Sequence, residues 1–214
     1  MKRIVQKAFK SFEDYCHNNK IPILFSVECE SNNSSGQMEN YTLVLTKYKI
    51  LLFTKRNFST QLDIYLELPI ISIQSIFLAA PSQYCIILKS GKAVVIQTNA
   101  DLDQLVVKVL EIIEEINFDS NNPIEIQIGG FPKDYSLKTL EYRPTNHINM
   151  RYEAVCAVYN QPINPTLAQH FSDFDKTHRT FFTFYQNDGP IFHPNIFSFP
   201  LLTVQSLSSI QFKG

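Results

Sequence analysis

The stretch YTLVLTKYKILLFT, residues 41–54, governs how the rest of the chain folds. Its two apolar runs, YTLVLT (41–46) and KILLFT (49–54), are separated only by Lys47 and Tyr48. That spacing predicts a tight antiparallel strand pair. A surface helix would instead repeat its apolar residues every three or four positions. Here hydrophobicity is nearly continuous, and aromatic and β-branched residues are frequent, as strands prefer.

Working outward, IPILFSVEC (21–29) is a further strand, and ESNNSSGQMEN (30–40) has the composition of a flexible hairpin loop. Downstream, DIYLEL (63–68), SIQSIFL (72–78), QYCIILK (83–89) and KAVVIQT (92–98) bring the count to seven strands. Pro69 and Pro81 are expected between strands, where a missing backbone donor does no harm. Ser90 and Gly91 supply a two-residue hairpin turn.

The period then changes. From Ala100 to Phe118, Leu102, Leu105, Val106, Val109, Leu110, Ile112, Ile113 and Ile116 line one side of an amphipathic helix, with Asp103, Glu111, Glu114 and Glu115 opposite. Asn99 is its expected N-cap. Seven short strands closed by one helix is the order of the pleckstrin-homology (PH) sandwich. The fold class is therefore α+β: a PH-like antiparallel sandwich over 21–120, with its C-terminal helix plugging one open end. Ahead of it, residues 1–20 are expected to form a helix with Ile4, Val5, Ala8, Phe9, Phe12 and Cys16 on one face, ended by Asn18, Asn19 and Pro22. Residues 121–150 are expected to be a linker, with one more short strand in IEIQI.

The tail differs in character. RYEAVCAVY (151–159) and LAQHFSDF (167–174) suggest short helices on either side of a proline-rich connection, with Ala154, Val155 and Val158 inward in the first. In FPLLTVQSLSSIQFKG (199–214), Leu202, Leu207, Ile210 and Phe212 follow the pattern of a leucine-rich repeat, with a strand near Ser208–Phe212. A single repeat cannot bury its own face, so 151–214 is expected to be the N-terminal cap and first repeat of an array that continues beyond this chain, the alternative being a C-terminal part that folds back in some other way.

The 214 residues carry a formal net charge of −1, spread evenly along the chain. Nucleic-acid binders show a strong basic bias, so no nucleic acid is expected as partner. Cys16, Cys29, Cys85 and Cys156 lie far apart, without metal-ligand spacing, and are expected to be reduced structural thiols. The N-terminus lacks the apolar core of a signal peptide, and no apolar run approaches the roughly 18–20 residues of a membrane span. A soluble, cytoplasmic protein is expected.

The succession YTLVLTKYKILLFTKRNFSTQLDIYLEL (41–68), together with GGFPKDY (129–135) and RYEAVCAVYNQPI (151–163), resembles the N-terminal region of the CARMIL family. These are large leucine-rich-repeat regulators of actin capping protein. The sequence departs from the family pattern in the extra residues 136–150 and in Ala157, where an acidic residue is usual. The resemblance implies a PH domain with an N-terminal helix that binds acidic phospholipids with little headgroup specificity. It also implies peripheral association with the plasma membrane and the cytoskeleton, cytoskeletal partners being reached through regions outside this chain. The family's capping-protein-binding tail motif is absent from the sequence.

In a PH sandwich, the loops joining strands one–two, three–four and six–seven line one rim. Lys55, Arg56, Lys89 and Lys92 fall in or beside two of them and are the candidate lipid-binding residues. Against them stand Glu28, Glu30 and Glu39 around the first loop. Cys156 with His170 or His178 and Asp173 or Asp175 has the residue types of a thiol catalytic group, but Cys156 sits among Ala154, Val155 and Ala157, an apolar setting that does not activate a thiol. No enzyme activity, metal or cofactor is expected. Two function classes remain: a membrane-targeting module, and a protein-interaction platform for a peptide or for a second copy in a homodimer.

Overall fold

The computed structural model describes residues 11–55, 62–135, 146–177, 181–185, 200–201 and 207–213. By contacts the chain forms two units: Met1–Val109 with Ile126–Tyr135, and Leu110–Glu125 with Ser136–Gly214.

In the first unit the described residues open with α1 (Phe12–Asn18). Ser11 caps it, its Oγ accepting from the Asp14 N–H at 3.1 Å, and Glu13 and Asp14 suit the positive end of the helix. The expected helix face included Ile4, Val5, Ala8 and Phe9, which lie outside the described residues. Seven strands follow: β1 (Ile23–Asn32), β2 (Met38–Thr46), β3 (Lys49–Lys55), β4 (Leu62–Pro69), β5 (Ile73–Ala80), β6 (Gln83–Leu88) and β7 (Ala93–Gln97). The first hairpin is longer than its composition suggests. Glu30–Asn32 and Met38–Asn40, expected in the loop, are paired strand residues. Pro69 is the last residue of β4, an edge strand, and not part of a connection. Pro81 does lie between strands, at the turn joining β5 to β6.

Continuous hydrophobicity in β2 and β3 reflects burial on both faces of the sheet. Val44 pairs with Leu51 and Thr42 with Phe53, so Val44, Leu51 and Phe53 share one face. Onto that face pack Phe12, Tyr15 and Cys16 of α1. The Phe12 and Tyr15 rings lie 6.2 and 5.6 Å from that of Phe53. The alternate residues, Leu43, Leu45, Ile50 and Leu52, point the opposite way, into the sandwich, and all four are fully buried.

After β7 comes α2 (Asp103–Asn117). Its cap is Asp101, whose Oδ1 accepts from the Asp103 N–H at 2.8 Å, and not the expected Asn99. Leu105, Val109, Ile112 and Ile116 are buried as the amphipathic pattern predicts. Residues 103–109 of this helix belong to the first unit and 110–117 to the second.

The sheet differs from the expected seven-stranded antiparallel sandwich. It has eight strands in the order β4-β3-β2-β1-β7-β6-β5-β8. The halves β4–β1 and β7–β5 meet through two residue pairs, Glu30↔Gln97 and Ser31↔Ile96. The eighth strand, β8 (Gln127–Gly129), runs parallel to β5 through Ser75↔Gln127, Ile76↔Ile128 and Phe77↔Gly129. It lies at the end of the IEIQI segment.

In the second unit, α3 (His147–Tyr159) and α4 (Pro165–Thr177) pack on each other. Asn164 caps α4, its Oδ1 accepting from the N–H groups of Thr166 and Leu167, and Pro165 takes the first helical position, where no donor is needed. Tyr152 and Phe171 bring the two helices together at 5.1 Å, and Phe182 stacks on Phe171 at 5.0 Å. Phe182 belongs to β9 (Phe181–Tyr185), which pairs in parallel with β10 (Ser209–Lys213). The expected terminal strand is thus present, displaced by one residue, whereas β9 was not foreseen.

Arg151 is 1% exposed. Its Nε donates to the Ile116 carbonyl at 2.6 Å and its Nη2 to the Phe118 carbonyl, so the guanidinium serves the orphan carbonyls at the end of α2. Burial lowers its pKa to about 10, offset in part by Asp119 and Asp175, and it remains charged at neutral pH. Beside it the buried His147 Nδ1 lies 3.0 Å from Asp175 Oδ1, and Asp175 Oδ2 accepts from the Ile148 N–H at 2.9 Å.

Two substitutions test this packing by urea unfolding. Leu105→Ala is expected to cost about 2–5 kcal/mol through the cavity left in the sandwich. Arg151→Met is expected to cost about 2–4 kcal/mol, because two buried carbonyls lose their donor, with Arg151→Lys intermediate.

Candidate functional site

The register shows which loops share an edge. β1 and β2 are joined by residues 33–37 at the end where Asn32 pairs with Met38. β3 leaves the sheet at that same end, since Lys55 stands two positions beyond the Thr42↔Phe53 pair. The antiparallel pairing Glu30↔Gln97 carries the start of β7, and with it the β6–β7 turn, to that end as well. The β1–β2 loop, the end of β3 and the β6–β7 turn therefore lie at one rim, while residues 56–61 of the third expected loop lie outside the described residues.

The side chains there divide unevenly. Lys89 and Lys92 are exposed on either side of the β6–β7 turn. That turn is fixed by Leu88 N–H to the Lys92 carbonyl at 2.9 Å and by Gly91 N–H to the Leu88 carbonyl at 2.8 Å. Gly91 has φ +83°, which explains why glycine follows Ser90. The Lys89 N–H donates to the Ser72 carbonyl, and partial desolvation lowers the ammonium pKa. Lys55 closes β3, while Arg56 lies outside the described residues. Of the four expected lipid ligands, Lys89 and Lys92 are thus brought together by one hairpin, and Lys55 is brought to their rim by register.

The first loop is organised by Asn33. Its Oδ1 accepts from the N–H groups of Ser35 and Gln37, and its Nδ2 donates to Glu39 Oε1 at 2.6 Å. Glu39 also accepts from the Tyr41 hydroxyl at 3.2 Å, and Glu28 accepts from Thr42 Oγ1 at 2.9 Å. Together with Glu13 and Glu30, these carboxylates line a groove of about 970 Å³ beside Phe12 and Phe53. The sequence flagged three of them. Glu13 joins through α1, which no reading of the loops could place.

Cys156 is buried in α3, and desolvation raises its pKa, the reverse of what a nucleophilic thiol needs. Asp175 is engaged with His147 and Ile148, and Asp173 accepts from Gln169 Nε2 at 2.8 Å. His178 lies outside the described residues. All four cysteines are free thiols, with Cys16, Cys29 and Cys156 buried and Cys85 partly exposed. Burial raises Cys29 to about 11.

No protein-family model matches the sequence, and no curated protein matches it. Among solved structures, the chain is similar to the linker-DH/PH domains of p115-RhoGEF, at 9% identity and TM-score 0.37, over 48% of this chain and 33% of that one. It is similar to the Slm1 PH domain in complex with phosphoserine, at 12% identity and TM-score 0.32, over 40% of this chain and 89% of that one. A third likeness is to the Vav1 exchange factor, at 12% identity and TM-score 0.36, over 48% and 28% of the respective chains. The chain spans about a third of the p115-RhoGEF fragment. The PH-like description of the first unit stands on its own strand order, followed in sequence by α2.

Native-state thiol labelling at pH 8 tests the burial. Cys85 is expected to react first, and Cys16, Cys29 and Cys156 at least tenfold more slowly until denaturant is added. Rapid labelling of Cys156 in folded protein would overturn the structural assignment of that thiol.

Proposed function

We propose that this chain is a non-enzymatic PH module that meets acidic phospholipid surfaces weakly and without headgroup selection, through Lys55, Arg56, Lys89 and Lys92. The observation carrying this reading is the register that gathers the end of β3 and the Lys89–Lys92 turn at one rim. Each lysine or arginine near an anionic leaflet contributes about 1 kcal/mol. Glu28, Glu30 and Glu39 around the first loop oppose the attraction, which favours weak, charge-driven binding over a fitted headgroup pocket.

A second observation favours a repeat scaffold behind the module. β10 pairs with β9 in parallel with Ser209 opposite Phe181, an offset of 28 residues (209 − 181). That offset falls within the 20–29 residues of leucine-rich repeats, whose units each add one parallel strand. This agrees with the resemblance to the CARMIL family and with a role on the actin cytoskeleton at the membrane.

Co-sedimentation with phosphatidylserine vesicles is the test. Wild-type protein is expected to pellet at low salt and to be released as the Debye length falls to about 8 Å. Lys89→Glu with Lys92→Glu is expected to abolish pelleting with unchanged thermal stability. Wild-type protein that ignores such vesicles at low salt would overturn the reading.

A further inference from the structure

The outer edge of β5 is taken by β8, a strand from the segment that follows α2. Addition of an extended segment to a sheet edge is how several sheet domains bind peptides, main-chain bonds giving affinity and side-chain contacts giving specificity. Both parts of that arrangement are present within the first unit.

The main-chain part is short, three residues in parallel. The side-chain part begins at Gly130, with φ +76° and a backbone so close to β5 that a Cβ would lie 2.3 Å from the Leu78 carbonyl oxygen. No other residue fits there. Phe131 then lies 5.9 Å from the Tyr84 ring, and Tyr135 meets Phe131 edge-on at 5.5 Å. Lys133 Nζ donates to Asp103 Oδ2 at 2.5 Å, in the first turn of α2. The Lys133 hydrogen bond is the main cause holding the Asp103 carboxyl below its ordinary range. Pro132, Lys133 and Asp134 remain exposed. The segment is therefore held by a few specific contacts along its length, with its outer side in solvent.

We propose that the β5 edge and the first turns of α2 form a peptide-docking groove, and that residues 127–135 are its ligand, bound in cis and displaceable. The partner the groove fits is an extended peptide that runs parallel to β5 and carries Gly-Gly, then Phe, with a cation two residues and a Tyr four residues after the Phe. This surface is separate from the basic rim and does not depend on lipid binding.

The test uses the full chain and a fluorescein-labelled peptide of residues 124–136, IEIQIGGFPKDYS. Two variants release the cis segment by different means. Gly130→Val introduces the clash with Leu78, and Phe131→Ala with Tyr135→Ala removes the aromatic contacts while leaving the sandwich intact. Both are expected to speed amide exchange at Ser75–Phe77 and to bind the labelled peptide at least tenfold more tightly than wild type. A scrambled peptide, or one with Lys133→Glu, is expected to bind at least tenfold more weakly than the native one. Released β5 amides without selective peptide binding would overturn the groove. Unchanged exchange in both variants, or wild-type affinity equal to that of the variants, would overturn displacement of a cis ligand.

Discussion

Burial of β2 and β3 on both faces is the constraint on which the first unit depends. A half-buried antiparallel strand alternates apolar and polar residues, because one face meets water. Val44, Leu51 and Phe53 break that alternation and would present a wide apolar patch without α1. The seven residues of α1 cannot hold a helix alone, since isolated helices shorter than about 12–15 residues are marginal. Helix and sheet therefore require each other. Phe12, Tyr15 and Cys16 gain a surface to pack on, and the sheet gains a cover. The first turns of α2 belong to the same unit, and their Leu105, Val106 and Val109 are fully buried.

How much of this was legible depended on whether the signal was local. The strands from Ile50 to Ile96 show in the sequence as short apolar runs with clear breaks, and the helix carrying Leu105 and Val109 shows by its period. Strand ends were less legible. Glu30, Asn32 and Asn40 are polar and look like loop, yet the pairing of β1 with β2, and of Glu30 with β7, holds them extended. The cap of α2 went to Asp101 over Asn99 because Thr98 and Ala100 still follow the sheet: Thr98 Oγ1 donates to the Glu28 carbonyl, and the Tyr84 hydroxyl to that of Ala100. Parallel pairing was the least legible. β8 and β9 find partners about 50 and 28 residues away, and nothing in a run such as QIG or FFTFY names a distant edge.

The candidate rim was legible in part. Ser90–Gly91 marks the turn, although Leu88 and not Lys89 stands opposite Lys92, and the strand count places Lys55 at the same rim. The acidic groove was not legible as a unit, because Glu13 arrives on a helix and Glu39 is oriented by Asn33 and Tyr41. Arg151 shows the same limit. Within RYEAVCAVY it looks like the solvated start of an amphipathic helix. Its long side chain instead supplies the donors that the end of α2 lacks, a pairing invisible until the two segments are brought together.

The β8 strand has a consequence for the chain as it is synthesised. α1 and β2–β3 have each other soon after residue 62 emerges, but β5 must wait for residues 127–129 before its second edge is covered. At roughly 5–20 residues per second, that leaves a bare strand edge for a few seconds on every ribosome, adjacent to whatever neighbouring nascent chains are present. The amides at Ser75–Phe77 are thus most open to wrong pairing at birth, and translation speed between Ala80 and Gln127 sets how long that window lasts.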